Sequence, residues 1–218
     1  MSGFFVVLEG PEGAGKSTLA GALAERLREA GQEPVLVREP GGTPAAEALR
    51  KELLHADRSW TPERELLYLA AARADLVGQV IRPALEAGRI VISDRYDLST
   101  LAYQAAGRGL PMPMVTWVNR AATGGLKPDL TLILDLPVEV GAARQVAAGK
   151  VRDRLDREPE EFHRRVAARY REEAGPGVVH LDATQAPLEL ARAAWTALTA
   201  ANEKLTPVGV SIPHRPLS

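Results

Sequence analysis

The stretch FFVVLEGPEGAGKST, residues 4–18, decides the fold. Phe4–Leu8 is a short apolar run stopped by Glu9-Gly10, which is how a strand buried on both faces reads. From Ser17 to Ala30 the apolar residues Leu19, Ala22, Leu23 and Leu27 recur at helical spacing, and Gly31 stands where a C-terminal cap belongs. Between strand and helix, Gly10 to Ser17 fits G-x-x-x-x-G-K-[ST]. Phosphate oxygens need backbone N–H groups turned inward, and glycine lets the chain curl tightly enough to turn them. The helix opening at Lys16 aims the positive end of its dipole at the same phosphates. In such a loop the lysine reaches the β- and γ-phosphates and the hydroxyl of Ser17 binds Mg²⁺. A chance match in a chain of this composition is rare, roughly 0.003 per chain. Gly10, Pro11, Glu12, Gly13, Ala14, Gly15, Lys16, Ser17 and Thr18 therefore form the expected ATP-type phosphate site.

Outward from that loop, strands alternate with helices. Apolar runs at PVLV within residues 33–38, Ile90–Ser93, Leu130–Leu134 and Val178–Leu181 predict four further strands. Helical spacing predicts helices over Pro44–Leu54, Pro62–Ala87, Leu98–Ala106, Pro113–Ala122, Val138–Ala148, Glu160–Ala174 and Leu188–Ala200. Arg82-Pro83 predicts a kink within the second of these, and Gly88 its stop. Strands apolar on both faces and separated by helices call for a parallel sheet covered on two sides. The expected fold is thus α/β: a three-layer P-loop NTPase fold with a five-stranded parallel sheet and a small mobile lid. The lid is assigned to Gly149–Pro159, GKVRDRLDREP, which is strongly charged and has no period. One kinase domain over residues 1–205 is expected, with a loose tail over 206–218 containing three prolines.

Composition narrows the function. Lys plus Arg is 27 and Asp plus Glu is 28, so no basic excess points to a nucleic-acid partner. The absence of cysteine excludes disulfide scaffolds, thiolate zinc sites and thiol nucleophiles. The N-terminal apolar run is too short for a membrane span and lacks a basic leader, so a cytoplasmic protein without membrane contact is expected. His55, His163 and His180 have no metal-like spacing. Neither an N-K-x-D guanine reader nor a Ser/Gly-rich transporter signature is present. Arginines do stand at loop ends: Arg38, Arg50, Arg73 and Arg95, then Arg144, Lys150, Arg152, Arg154 and Arg157. Arg38 and Asp94-Arg95 fall at the C-terminal ends of predicted strands, where open α/β sheets bind ligands. Two facing anion sites suggest phosphoryl transfer between two phosphate-bearing molecules.

These residues resemble a known family. Glu9 to Ser17, Arg38-Glu-Pro-Gly-Gly-Thr43, Asp94-Arg-Tyr96 with Ser99, Tyr103 and Gln104, and Arg154-Leu-Asp156 together resemble thymidylate kinase of the bacterial type. The resemblance implies transfer of the ATP γ-phosphoryl group to dTMP, with Mg²⁺, yielding dTDP. It implies that Lys16, Arg95, Asp94 and the lid residue Arg154 carry the chemistry. Ser17 and Asp94 would hold Mg²⁺, as a hard cation prefers oxygen ligands. For dTMP it implies Glu12 at the 3′-hydroxyl, Arg38 and Arg50 near the phosphate, Arg73 at thymine O4, and Ser99, Thr100 and Gln104 near the base. Arg50 reads equally as a water-facing helix arginine. Tyr103 would block a 2′-hydroxyl, or else pack between helices. Leu69 departs from the family, which places a stacking phenylalanine there; this leaves open a P-loop kinase acting on another nucleotide or nucleoside, with an NTP-dependent switch as the remaining alternative. Relatives pair through helices, so a homodimer is a further expectation.

Overall fold

The computed structural model describes residues 3–54, 59–151, 153–202 and 205. The predicted residues His55 and Arg152 and the tail 206–218 lie outside that set. Five strands, β1 (Phe4–Glu9), β2 (Val35–Arg38), β3 (Ile90–Asp94), β4 (Leu130–Asp135) and β5 (Val178–Asp182), form one sheet in the order β2-β3-β1-β4-β5. Every pairing is parallel, as strands joined by helical crossovers require. The register sets Asp94 opposite both Leu8 and Arg38. Three strands therefore deliver their C-terminal residues to one edge.

Alternation along β1 divides the core. Val6 and Leu8 face Leu19, Leu23 and Leu27 of α1 (Lys16–Glu29), together with Ala194, Trp195 and Leu198 of the last helix. Phe5 and Val7 face the opposite layer, where Leu76, Ile81 and Tyr96 are fully buried. Truncating one of these leucines to alanine costs ~2–5 kcal/mol through lost transfer energy and the cavity left behind. Between α1 and β3 run α2 (Pro44–Leu54) and α3 (Pro62–Leu76). Thr61 caps α3 by accepting from Arg64 N at 3.2 Å, and Pro62 opens it.

Two expected helices are modified. The segment over Pro62–Ala87 is interrupted just before Arg82-Pro83, where α3 passes through a π-helical turn, Val77–Ile81, into α4 (Arg82–Glu86). Proline has no N–H to give, and the widened turn sends Arg82 N–H to Val77 O, five residues back, with helical backbone angles kept. The segment expected over Leu98–Ala106 starts at Asp97 as α5 (Asp97–Thr100) and continues as a π-helical stretch, Leu101–Gly107, closed by Arg108 N donating to Tyr103 O at 2.9 Å. Beyond it lie α6 (Met112–Thr123), α7 (Val138–Ala147), α8 (Glu160–Glu172) and α9 (Pro187–Ala201). Among its described residues, the charged stretch over 149–159 forms no helix.

Candidate active site

The loop after β1 meets the edge where β2 and β3 end, and a cavity of about 500 Å³ opens there. That volume suits a small-molecule ligand. Lys16 begins α1 and donates from Nζ to Gly10 O at 3.0 Å and Pro11 O at 2.8 Å, so its ammonium is folded back over the loop. Burial and the nearby Arg95 charge lower its pKa to about 8, against the opposing pull of Glu12, Asp94 and Glu9. No side chain caps α1 and no acidic residue occupies its first turn, so its positive end stays open to an anion. Ser17 donates to Asp94 Oδ2 at 2.5 Å, which sets two oxygen donors side by side at the end of β3. Thr18 also lines the cavity, whereas Ala14 turns its side chain into the core. The loop lies hard against α7. A Cβ on Gly13 would stand 2.4 Å from Gly141 O, and one on Gly141 would stand 2.3 Å from Glu12 O, so only glycine fits at either position.

Arg95 occupies the junction. Its backbone takes φ 77°, a left-handed conformation unusual for a side chain of this size, and its N–H donates to Leu8 O at 2.9 Å. The guanidinium donates from Nη2 to Glu12 Oε1 at 2.5 Å and Tyr103 OH at 3.1 Å. From Nη1 it reaches Tyr170 OH at 3.0 Å, Ser99 Oγ at 3.1 Å and Gly10 O at 3.2 Å. Burial alone would raise the pKa of Glu12, but Arg95, Lys16 and Lys150 hold the carboxyl far below its ordinary range. Behind this pair Glu9 is fully buried and accepts from Tyr96 N, Ser99 N, Ser99 Oγ and Tyr170 OH. Burial raises its pKa despite Arg95 and those donors. Glu9 thereby fixes the hydroxyls that fix Arg95.

The other end of the cavity is built by β2, α2, α3 and the π-helical stretch. Arg38 pairs with Glu47 at 3.1 Å, and Arg50 donates to Pro40 O at 2.8 Å; both line the cavity, so Arg50 does not simply face water. Arg73, 2% exposed, donates from Nε to Glu39 Oε2, from Nη1 to Thr100 Oγ1 and Asn119 Oδ1, and from Nη2 to Tyr96 O, while Nη2 also lies 2.6 Å from Glu39 Oε2 as an ion pair. The thymine O4 contact implied by the resemblance would have to compete with these partners. Burial raises Glu39 to a pKa of about 6, with Arg73 acting against the rise. Leu69 lines the cavity, while its neighbour Tyr68 turns away to an edge-on contact with Trp60 at 4.4 Å. Gln104 Nε2 donates to Glu65 Oε1 at 2.6 Å, and Gln104 Oε1 is buried without a hydrogen-bond partner among the described residues.

A thymidylate kinase family model matches residues 8–194 of the chain. The chain belongs to the thymidylate kinase family. It is 51% identical over 199 residues to the thymidylate kinase of Thermomicrobium roseum, covering 90% of this chain and 94% of that one. The thymidylate kinase of a Synechococcus strain is 48% identical over 195 residues, 88% of this chain and 92% of its own. A solved thymidylate kinase from Ehrlichia chaffeensis superposes with a TM-score of 0.73 at 28% identity, covering 90% of this chain and 98% of that one. The chain is therefore a nucleotide kinase that phosphorylates dTMP at the expense of ATP. No helix among the described residues is long and apolar enough to cross a membrane.

Within the stretch over 149–159, Lys150 approaches the phosphate loop at Glu12, whereas Arg154 is held away from it. Arg154 donates to Leu53 O at 3.1 Å and to Glu65 Oε2 at 2.5 Å. Arg144 and Lys150 line the cavity, and Lys150 lies 3.5 Å from Glu12 and 3.0 Å from Asp156. His180 is tied to Asp135 and to Glu173 O, a structural arrangement, and the described residues hold no acidic or histidine cluster able to bind a metal by itself. Sequence reasoning missed Glu39, Glu65, Asn119 and Tyr170, and gave Glu9 no role. A charged residue closing an apolar strand was the one signal available for Glu9.

Proposed function

We propose that ATP places its β- and γ-phosphates in the loop Gly10–Thr18, held by backbone N–H groups, by the open end of α1 and by Lys16. The dTMP phosphate lies between Arg95 and the Arg38–Arg50 side. One of its oxygens attacks the γ-phosphorus, a P–O bond forms, and the bond from that phosphorus to the bridging oxygen breaks with its electron pair going to ADP. The acceptor is already an anion, so positioning and charge stabilisation carry the catalysis and no strong base is needed. Ser17 and Asp94, two hard oxygen donors at 2.5 Å from each other, fit Mg²⁺, which keeps most of its waters in such sites. The ion supplies neutralisation of phosphate charge. Glu12 accepts from the 3′-hydroxyl, Tyr103 closes the 2′ side, and Leu69, Arg73, Ser99, Thr100 and Gln104 surround the base. Arg154 leaves its helix contacts to reach the transferring group.

The observation that carries this reading is the position of Arg95, which touches the phosphate loop through Gly10 O and Glu12 and the nucleoside side through Ser99 and Tyr103. A coupled ADP-release assay against dTMP, dUMP, dCMP, dAMP and dGMP, with and without Mg²⁺, tests it. Turnover with dTMP that vanishes on chelation supports the assignment; turnover confined to another acceptor overturns it. A homodimer is supported by Leu67 on α3 and Trp117 on α6, 60% and 71% exposed on helices that pack side by side. A monomeric mass in analytical ultracentrifugation refutes it. A cytoplasmic location follows from the supply of nucleotides, and cell fractionation checks it.

A further inference from the structure

Glu65 is a carboxylate, 1% exposed, in the first turn of α3, and no step above uses it. Its Oε1 accepts from Gln104 Nε2 at 2.6 Å and from Arg108 Nε at 3.2 Å. Its Oε2 accepts from Arg108 Nη2 at 3.0 Å and from Arg154 Nη2 at 2.5 Å. Burial alone would push its pKa up, but donation from Arg108, Gln104 and Arg154 keeps the carboxyl below its ordinary range. It is ionised at neutral pH, and an ionised carboxylate only accepts.

That restriction passes to its neighbour. An amide has a donor end and an acceptor end, and beside an acceptor-only group the NH₂ must turn inward. Reversing Gln104 would set its carbonyl oxygen against the Glu65 carboxylate in a buried place, where an unmade hydrogen bond is costly. Gln104 lines the cavity, and with its NH₂ held by Glu65 its buried Oε1 is the end left without a hydrogen-bond partner among the described residues, an acceptor that a base seated beside it could satisfy. A carbonyl oxygen there suits a pyrimidine whose N3 carries hydrogen, as in thymine and uracil. Cytosine presents a lone pair at N3, and lone pair would face lone pair.

We infer that Glu65 is a specificity-determining positioning residue: by fixing the Gln104 amide with its oxygen toward the base, it makes the acceptor site favour N3–H pyrimidines over cytosine. This rests on the placement of Gln104 beside the base proposed above. The side chain introduced by Glu65→Gln can donate as well as accept, so Gln104 becomes free to reverse and offer NH₂ instead.

The test is the dissociation constant of the full-length protein for dTMP and for dCMP, measured without ATP by calorimetry, and read as the ratio of the two. Glu65→Gln is expected to lower the preference for dTMP by about tenfold, the scale of one mismatched buried hydrogen bond. Gln104→Ala is expected to lower it as well. Arg154→Ala, which disturbs the same carboxylate from the lid side, is expected to leave the ratio alone. If Gln104→Ala leaves the ratio unchanged, the placement of Gln104 at the base fails. If Gln104→Ala lowers the ratio and Glu65→Gln does not, or weakens both nucleotides equally, the inference about Glu65 is overturned and its role is structural. Should Glu65→Gln not fold, Glu65→Asp keeps the charge for both arginines but draws the acceptor away from Gln104. It is expected to lower the ratio by a smaller factor, and no change there refutes the inference.

Discussion

The floor of the cavity and its lid both carry arginine, and the two are held in opposite ways. Arg95, on the floor, has five side-chain partners, of which Glu12, Ser99 and Tyr103 line the cavity, and its backbone is bonded to the neighbouring strand at Leu8. Arg154, in the lid, has its partners on α2 and α3, at Leu53 O and Glu65. Floor charge is thus in place before any substrate arrives and needs no reorganisation during the reaction. On the reading proposed above, Arg154 exchanges a carboxylate for a phosphate and acts once the lid has moved. Labour is then divided: the sheet edge binds and the lid commits.

Breaking the floor should have the largest effect. Lys16→Ala removes a phosphate-binding charge together with its loop contacts, and kcat should fall by on the order of 10⁴-fold. Single-turnover kinetics checks this, and a loss under about tenfold would remove Lys16 from the catalytic group. Breaking the lid should come next. Arg154→Ala should lower kcat by roughly 10³-fold while the dissociation constant for dTMP stays unchanged, because the contact belongs to the transition state. Arg154→Lys should recover only part, since an ammonium cannot make the guanidinium fork. A loss in dTMP affinity with kcat intact would make Arg154 a substrate clamp and abolish the contrast with the floor.

Two smaller effects sharpen the comparison. Leu69→Phe should tighten dTMP binding by ~0.5–1.5 kcal/mol through ring stacking that leucine lacks. Calorimetry showing weaker binding would mean that the larger ring overpacks α3. The smallest effect lies at the far edge of the sheet. Burial tends to lower the pKa of His180, yet Glu173 O and Asp135 raise it overall. The protonated form is therefore favoured in the fold. Its contribution is complete below the ordinary histidine value and fades as pH rises through the raised one. His180→Gln should cost about 0.5 kcal/mol at pH 5.5 and less at pH 8.5, after allowing for solvent screening. Urea denaturation at both values decides, with kcat expected to be untouched; an equal cost at both pH values would sink the charge-based account.

Most of the fold was legible because each strand is a compact apolar run and each helix a 3.6-residue pattern over several turns. The loop Gly10–Ser17 was legible because its chemistry lies in consecutive residues. What escaped has a common cause. Glu9 meets Ser99 ninety residues away and Tyr170 at a separation of 161, so no local pattern could join them. Glu65 sits in an ordinary helical first turn, where an acidic residue already has a reason to be. The π-helical turns escaped because a wider turn lasting five or seven residues barely shifts a helical period. The resting partners of Arg154 depend on how the lid lies over α2 and α3, which spacing along the chain does not encode.

Gly13 and Gly141 meet with no room for a single methyl group, so the first turn of α7 is seated on the phosphate loop. The ten residues of α7 end at Ala147, next to the lid. From Gly141 to its end the helix is a lever about 9 Å long, at 1.5 Å per residue, with the phosphate loop as its fulcrum. A tilt of about 10° at the seat would carry the far end through roughly 1.6 Å over that length. A nucleotide that shifted the phosphate loop would shift the lid end of α7 with it, because the small seat leaves no slack between them.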